Sequence, residues 1–137
     1  MGNISPIYSK VGDIQWGLSG LTAANTAKDG TGTVLTVFTA DVTNGGYVQR
    51  IRFRAAGSNV ATVARVFINN GSTNTVASNN ILWDEITLAQ TSLSETSALP
   101  TYELPLNFAL PPGYKLNVTL GTAVSAGYFV SVIAGKY

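Results

Sequence analysis

The sequence predicts an all-β protein: an antiparallel β-sandwich of about eight strands, jelly-roll-like, with almost no helix. Three observations lead there. Apolar residues recur at every second position along most of the chain, clusters containing Gly or Asn interrupt these runs at short intervals, and no segment sustains a helical apolar period. A closed barrel is the main alternative. The 137 residues suit one domain, since half the chain would enclose too little interior to be stable.

Along the chain, residues 1–20 are apolar without clear alternation, through Ile4, Pro6, Ile7, Tyr8, Ile14 and Trp16, and read as an extended N-terminal arm. The arm either closes over its own sandwich, which then spans 21–137, or reaches a neighbouring subunit, making Ile4, Ile7, Tyr8 and Trp16 candidate subunit contacts. A weak strand is expected at 13–17 and another at 33–40. The best helical candidate, 19–28, has a Gly near its start and a mixed face, so no helix is expected there.

Residues 47–55 alternate clearly, with Tyr47, Gln49, Ile51, Phe53 and Ala55 on one face and Val48, Arg50, Arg52 and Arg54 on the other. Strands follow at 62–69 and 81–88, the latter with Leu82, Ile86 and Leu88 opposite Trp83, Glu85 and Thr87. In 102–110, Tyr102, Leu104, Leu106, Phe108 and Leu110 share a face, and Pro105, lacking an N–H, marks an edge strand or a bulge. The turn Pro111-Pro112-Gly113 leads into 114–120, with Tyr114, Leu116, Val118 and Leu120 on one side. The last strand, 128–134, is apolar on both faces and belongs in the middle of a sheet or at an interface.

Composition narrows the function. Charged residues are 11% of the chain against 45% apolar, so the surface is built from neutral polar groups and can be covered without stripping hydration from many ions. There is no Cys, which removes disulfides, thiolate nucleophiles and Cys-ligated zinc, and no His, the usual general acid–base near neutral pH and the commonest metal ligand. The seven carboxylates show no spacing that singles out a hydrolytic pair. Asp29-Gly30-Thr31-Gly32 lacks the further ligands of a calcium loop and the Lys of a phosphate loop, and reads as a tight turn. A non-enzymatic protein without metal or cofactor is expected. The net charge of +1 offers no overall attraction to nucleic acid or anionic membrane. The N-terminus has neither the basic start nor the apolar run of a signal peptide, and synthesis in the cytoplasm is expected.

The candidate contact residues are Arg50, Arg52 and Arg54, with Arg65 expected on the adjacent strand, and Trp83. Like charges at alternate positions repel unless solvent or anions separate them. The stripe is either a solvated face partly neutralised by Asp84, Glu85 or Glu103, or a binding face for an acidic partner protein; nucleic acid is disfavoured because no aromatic residues are interleaved to stack on bases. Trp16 and Trp83 are also possible sugar-stacking platforms, although single aromatics more often pack in cores and interfaces.

Several stretches resemble small virion proteins of tailed bacteriophages: Ile7-Tyr8, Val11-Gly12-Asp13-Ile14-Gln15-Trp16, Tyr47-Val48-Gln49-Arg50-Ile51-Arg52-Phe53, Ala64-Arg65-Val66-Phe67-Ile68-Asn69-Asn70-Gly71, Leu110-Pro111-Pro112-Gly113-Tyr114-Lys115-Leu116 and 127–137. These are strand and turn signatures with no active site to carry over. The resemblance implies a head decoration or cement protein, or the base of a head fibre. Such a protein sits on the capsid surface as a homotrimer and binds the major capsid protein or another virion protein. The alternative class is a carbohydrate-binding host-recognition module of a tail or fibre, using Trp83 and nearby Asn- and Ser-rich loops.

Overall fold

The computed structural model describes residues 13–16 and 20–137. Among the described residues eight strands form: β1 (Asp13–Trp16), β2 (Leu35–Thr39), β3 (Gly46–Ala55), β4 (Thr62–Asn69), β5 (Asn80–Leu88), β6 (Thr101–Leu110), β7 (Lys115–Leu120) and β8 (Tyr128–Lys136). A three-residue 3₁₀ turn, Ala77–Asn79, precedes β5. The strands make two four-stranded antiparallel sheets, β1-β8-β3-β6 and β2-β7-β4-β5. Thus β1 pairs with β8, β2 with β7, β3 with β6 and β4 with β5, as if one long hairpin had been rolled up. Each strand lies where a strand was expected. The candidate helix at 19–28 is bends and isolated bridges over its described residues.

One apolar core lies between the sheets. Val48, Ile51, Phe53, Val130 and Val132 from the first sheet meet Val37, Ala64, Val66, Leu116 and Val118 from the second, all almost fully buried. Burial of this kind contributes about 1.5–3 kcal/mol per large side chain, and it requires every strand to keep its apolar set on the inner face. Where simple alternation fails to do this, the register shifts. Gln49 is an extra residue in β3 relative to β8, so Val48 joins Ile51 and Phe53 in the core while Gln49 and Arg50 are both exposed. This corrects the expected faces, which grouped Val48 with the arginines. Opposite Gln49, β6 carries one extra residue across Leu106 and Asn107, with Asn107 at φ 51°, two residues after Pro105 on a sheet edge.

In β5 the extra residue is Trp83. Leu82 therefore pairs with Phe67 on the outer face instead of joining Ile86 and Leu88, and both Leu82 and Trp83 are exposed. In β2 the extra residue is Val37, which lets consecutive Val37 and Phe38 both be buried. β8 lies between β1 and β3, as its two apolar faces suggested, although Phe129 on the outer face is 62% exposed. Within the stretch read as an arm, Asp13–Trp16 is the edge strand β1 of the chain's own first sheet, with Trp16 in register with Ser131.

The outer face of the second sheet is covered in part, with Leu82, Glu85 and Thr87 exposed on it. Phe67, Asn117 and Thr119 are buried there although Phe67 lies outside the central core. The segment leading into β2 is anchored at both ends of this sheet. The Asn25 N–H donates to the Leu120 carbonyl (2.7 Å), and Asn74 Nδ2 donates to the carbonyls of Gly30 (3.1 Å) and Gly32 (2.7 Å). Gly30, at φ 81°, has no room for a side chain, because a Cβ would lie 2.6 Å from that of Asn80.

The pole formed by the β3–β4 and β7–β8 connections is stapled by Asn59, which is 3% exposed. Its Oδ1 accepts from the N–H groups of Ala126 (3.0 Å) and Gly127 (2.8 Å), and its Nδ2 donates to the Gly127 carbonyl (3.0 Å). Asn59 and Thr91 also exchange backbone hydrogen bonds. Removing a buried amide strands several backbone groups at once. Asn59→Ala should lower stability by about 2–4 kcal/mol in chemical denaturation, a large loss for one small polar side chain.

Tyr128 is fully buried, and its hydroxyl makes no hydrogen bond of good geometry. Burial pushes its phenol above the usual value of 10.0; Tyr102 adds to this, and the nearby Asn59 amide opposes it. Above pH 10 the unfolded chain releases a proton that the folded chain still holds, so stability falls as pH rises through that range and levels off beyond the folded value. Tyr128→Phe should be neutral or stabilising by up to about 1–2 kcal/mol at pH 7 and should flatten this alkaline decline, as measured by urea midpoints between pH 8 and 11.

Candidate binding surfaces

The outer face of the first sheet carries three cations in one row. Because Ile51, Phe53 and Ala55 point inward, Arg50, Arg52 and Arg54 point outward from β3, flanked by Ile133, Ser131 and Phe129 on β8 and by Pro105, Glu103 and Thr101 on β6. Arg50 Nη1 lies 3.9 Å from Glu103 Oε2, with both side chains about half exposed, so this pair contributes little. Arg54 is held differently: its Nη1 donates to the Leu99 carbonyl (2.7 Å) and to Thr101 Oγ1 (3.2 Å), neither of which is charged. A small groove of about 60 Å³ runs between Arg50, Arg52, Glu103 and Ile133. The face is a positively charged patch bordered by the exposed ring of Phe129.

Arg65 does not belong to this row. It lies on β4, in the other sheet, and its Nε donates to Glu85 Oε1 at 3.1 Å from a largely buried position. The expectation of an adjacent strand fails because the connection after β3 crosses between layers instead of forming a hairpin. Glu85 is therefore committed to Arg65, and Glu103 is the carboxylate that approaches the row.

Trp83 is 48% exposed, with its ring edge-on to Phe108 at 5.0 Å between centroids. β5 and β6 are edge strands of different sheets, so this contact spans the open side of the sandwich. Ile81 and Leu82 are exposed beside it. Of the arm candidates, Ile4, Ile7 and Tyr8 lie outside the described residues, and Trp16 is described only by its place in β1.

At the pole opposite Asn59, asparagines gather where β4 ends and β5 begins. Asn69 Nδ2 donates to Asn80 Oδ1 (2.8 Å), Asn70 Nδ2 to Asn79 Oδ1 (3.2 Å), and Asn79 Nδ2 to the Thr73 carbonyl (2.8 Å). Two open pockets flank this cluster. One, of about 150 Å³, is lined by Thr36, Asn69, Asn74, Lys115 and Asn117 among others. The second, of about 260 Å³, is lined by Ile68, Asn70, Ser78, Asn79, Asn80, Ile81 and Tyr114. The sequence predicts a turn at Asn69-Asn70-Gly71-Ser72 and, under the host-recognition alternative, a polysaccharide contact at Asn- and Ser-rich loops near Trp83; the repeated Asn between 69 and 80 is the signal that locates this cluster.

The loop at Asp29 is a hydrogen-bonded turn. Asp29 Oδ1 accepts from Thr31 Oγ1 (2.6 Å) and the Thr31 N–H (3.1 Å), bonds that hold its carboxyl below the usual carboxylate value. Among the described residues, no three His, Cys, Asp or Glu side chains gather as metal ligands, and no helix is long and apolar enough to cross a membrane.

No protein-family model matches the chain, and a search of curated proteins found no match. The surfaces therefore stand on their geometry. Since Trp83 is half exposed and meets one ring edge-on, Trp83→Ala should cost about 1 kcal/mol in urea denaturation, whereas Phe53→Ala in the core should cost about 3–5 kcal/mol.

Proposed function

We propose that this chain is a non-enzymatic structural protein of a tailed-bacteriophage virion, bound to the outside of the capsid as a decoration or cement protein. Its partner is the major capsid protein or another virion protein, and it binds as a homo-oligomer, with a trimer favoured. The likeness of its strand and turn stretches to small virion proteins supports this reading. So does the rolled-hairpin strand order, which we take as a jelly roll, an architecture used by viral shells and by lectins alike. Fold alone is compatible with many roles.

The observation that carries the proposal is the arginine row. Three outward cations, approached among the described residues by one carboxylate at 3.9 Å, present an electrostatic surface suited to an acidic protein face, and exposed Phe129 supplies an apolar anchor at its margin. An acidic shell surface docking there would pair with the row, and the weakly charged remainder of the surface adds few further ions to desolvate.

Co-sedimentation with purified, emptied shells tests the reading. The wild-type protein should saturate the shells at high copy number, and its binding should weaken as salt rises. Replacing Arg50, Arg52 and Arg54 together with Ser should weaken attachment at least tenfold and flatten the salt dependence, while stability falls by no more than about 1 kcal/mol. Unchanged attachment of the triple variant removes the row from the interface. A wild-type protein that ignores shells and binds host polysaccharide through Trp83 overturns the virion-surface role in favour of host recognition.

A further inference from the structure

We propose that the asparagine-rich pole is a binding site for a neutral saccharide unit, centred on the pocket between Tyr114, Ile81, Asn70 and Asn79. This goes beyond the capsid-surface reading and does not rest on it, since the arginine row lies on a sheet face and this pocket at the end of the sandwich.

The chemistry of the lining selects the ligand. None of the seven lining side chains is charged, so the pocket offers an anion or cation nothing to pair with. It offers two complementary surfaces instead. Tyr114, Ile68 and Ile81 form an apolar wall, and Ile81 remains 59% exposed on it. Asn70, Asn79 and Ser78 supply amides and a hydroxyl. A pyranose has this same division, with C–H groups on one face and hydroxyls around its rim, each hydroxyl both donor and acceptor.

The amides are already oriented. Asn79 spends one N–H on the Thr73 carbonyl, and its Oδ1 accepts from Asn70. Asn70 in turn accepts from the Ser72 N–H (3.1 Å), and its backbone N–H donates to the Asn79 carbonyl (3.0 Å). An amide carries two donors and two acceptor lone pairs, so each of these side chains retains one N–H and one lone pair while its rotamer is held. Holding polar groups in advance removes the ordering cost that otherwise weakens sugar binding. The open pocket of about 260 Å³, somewhat below the roughly 300–1,000 Å³ of drug-sized sites, has room for one sugar ring. Binding of a free monosaccharide should be weak, with a dissociation constant in roughly the millimolar range.

The test is an amide NMR titration of the whole chain with glucose, galactose, mannose and N-acetylglucosamine, each up to roughly 100 mM, a concentration that saturates millimolar sites. At least one sugar should give saturable shifts at the side-chain amides of Asn70 and Asn79 and at Ile81. Ile81→Asp, an exposed change that puts a charge in the apolar wall, should weaken binding at least tenfold with an unchanged melting temperature, and Tyr114→Phe should retain it. Absence of saturable shifts with all four sugars overturns the proposal, as do shifts that persist unaltered in Ile81→Asp. Ile81→Asp should still sediment with shells and the triple arginine variant should still bind sugar, so failure of either reading leaves the other readable.

Discussion

The contact between the inner faces of the two sheets is the constraint on which everything else depends. Val48, Ile51, Phe53, Val66, Leu116, Val118 and Val132 are excluded from water only if all of their strands hold the same phase toward the gap. Because side chains alternate strictly along a strand, one surplus residue would turn the rest of that strand inside out. The chain meets this with register shifts at Val37, at Gln49 opposite Leu106 and Asn107, and at Trp83. Each absorbs one residue locally and returns the following ones to the face that the core requires.

Those shifts also shape the exterior. The one at Gln49 separates Val48 from the arginines, so that Arg50, Arg52 and Arg54 stand outward in one line while Val48 stays inside. The one at Trp83 turns two successive large residues of an edge strand toward solvent, leaving Trp83 to lean on Phe108 across the open side of the sandwich. Surface features that suit binding thus follow from correcting the phase of the core.

The two poles use amides in opposite ways. Asn59 is enclosed, and its hydrogen bonds join three connections into one rigid end. The cluster from Asn69 to Asn80 orders its own hairpin but stays open to solvent, so its amides keep hydrogen-bonding capacity beyond what the loop consumes. In a chain with so few charges, neutral amides supply the directional polar contacts that Lys and Glu provide elsewhere, and the proposed capsid and saccharide surfaces divide between charge on a sheet face and amides at a pole.

Strand positions and the all-β class were legible in the sequence, as were an edge or bulge at Pro105 and a central or interface place for β8, because each rests on local properties: alternation, a missing N–H, two apolar faces. What could not be read was anything set by pairing between distant strands. Arg65 was expected on the strand adjacent to the arginine row, yet the connection after β3 crosses from one sheet to the other. The faces of Val48 and Leu82 were misassigned, because a register shift is defined by the partner strand and leaves no mark in the period of its own. Phe67, Asn117 and Thr119 alternate like solvent-facing positions and are nevertheless buried, which the alternation of their own strands does not reveal. Local sequence determined which residues form strands, and tertiary structure decided which faces meet, because side-chain period is a property of one strand while burial is a property of two layers.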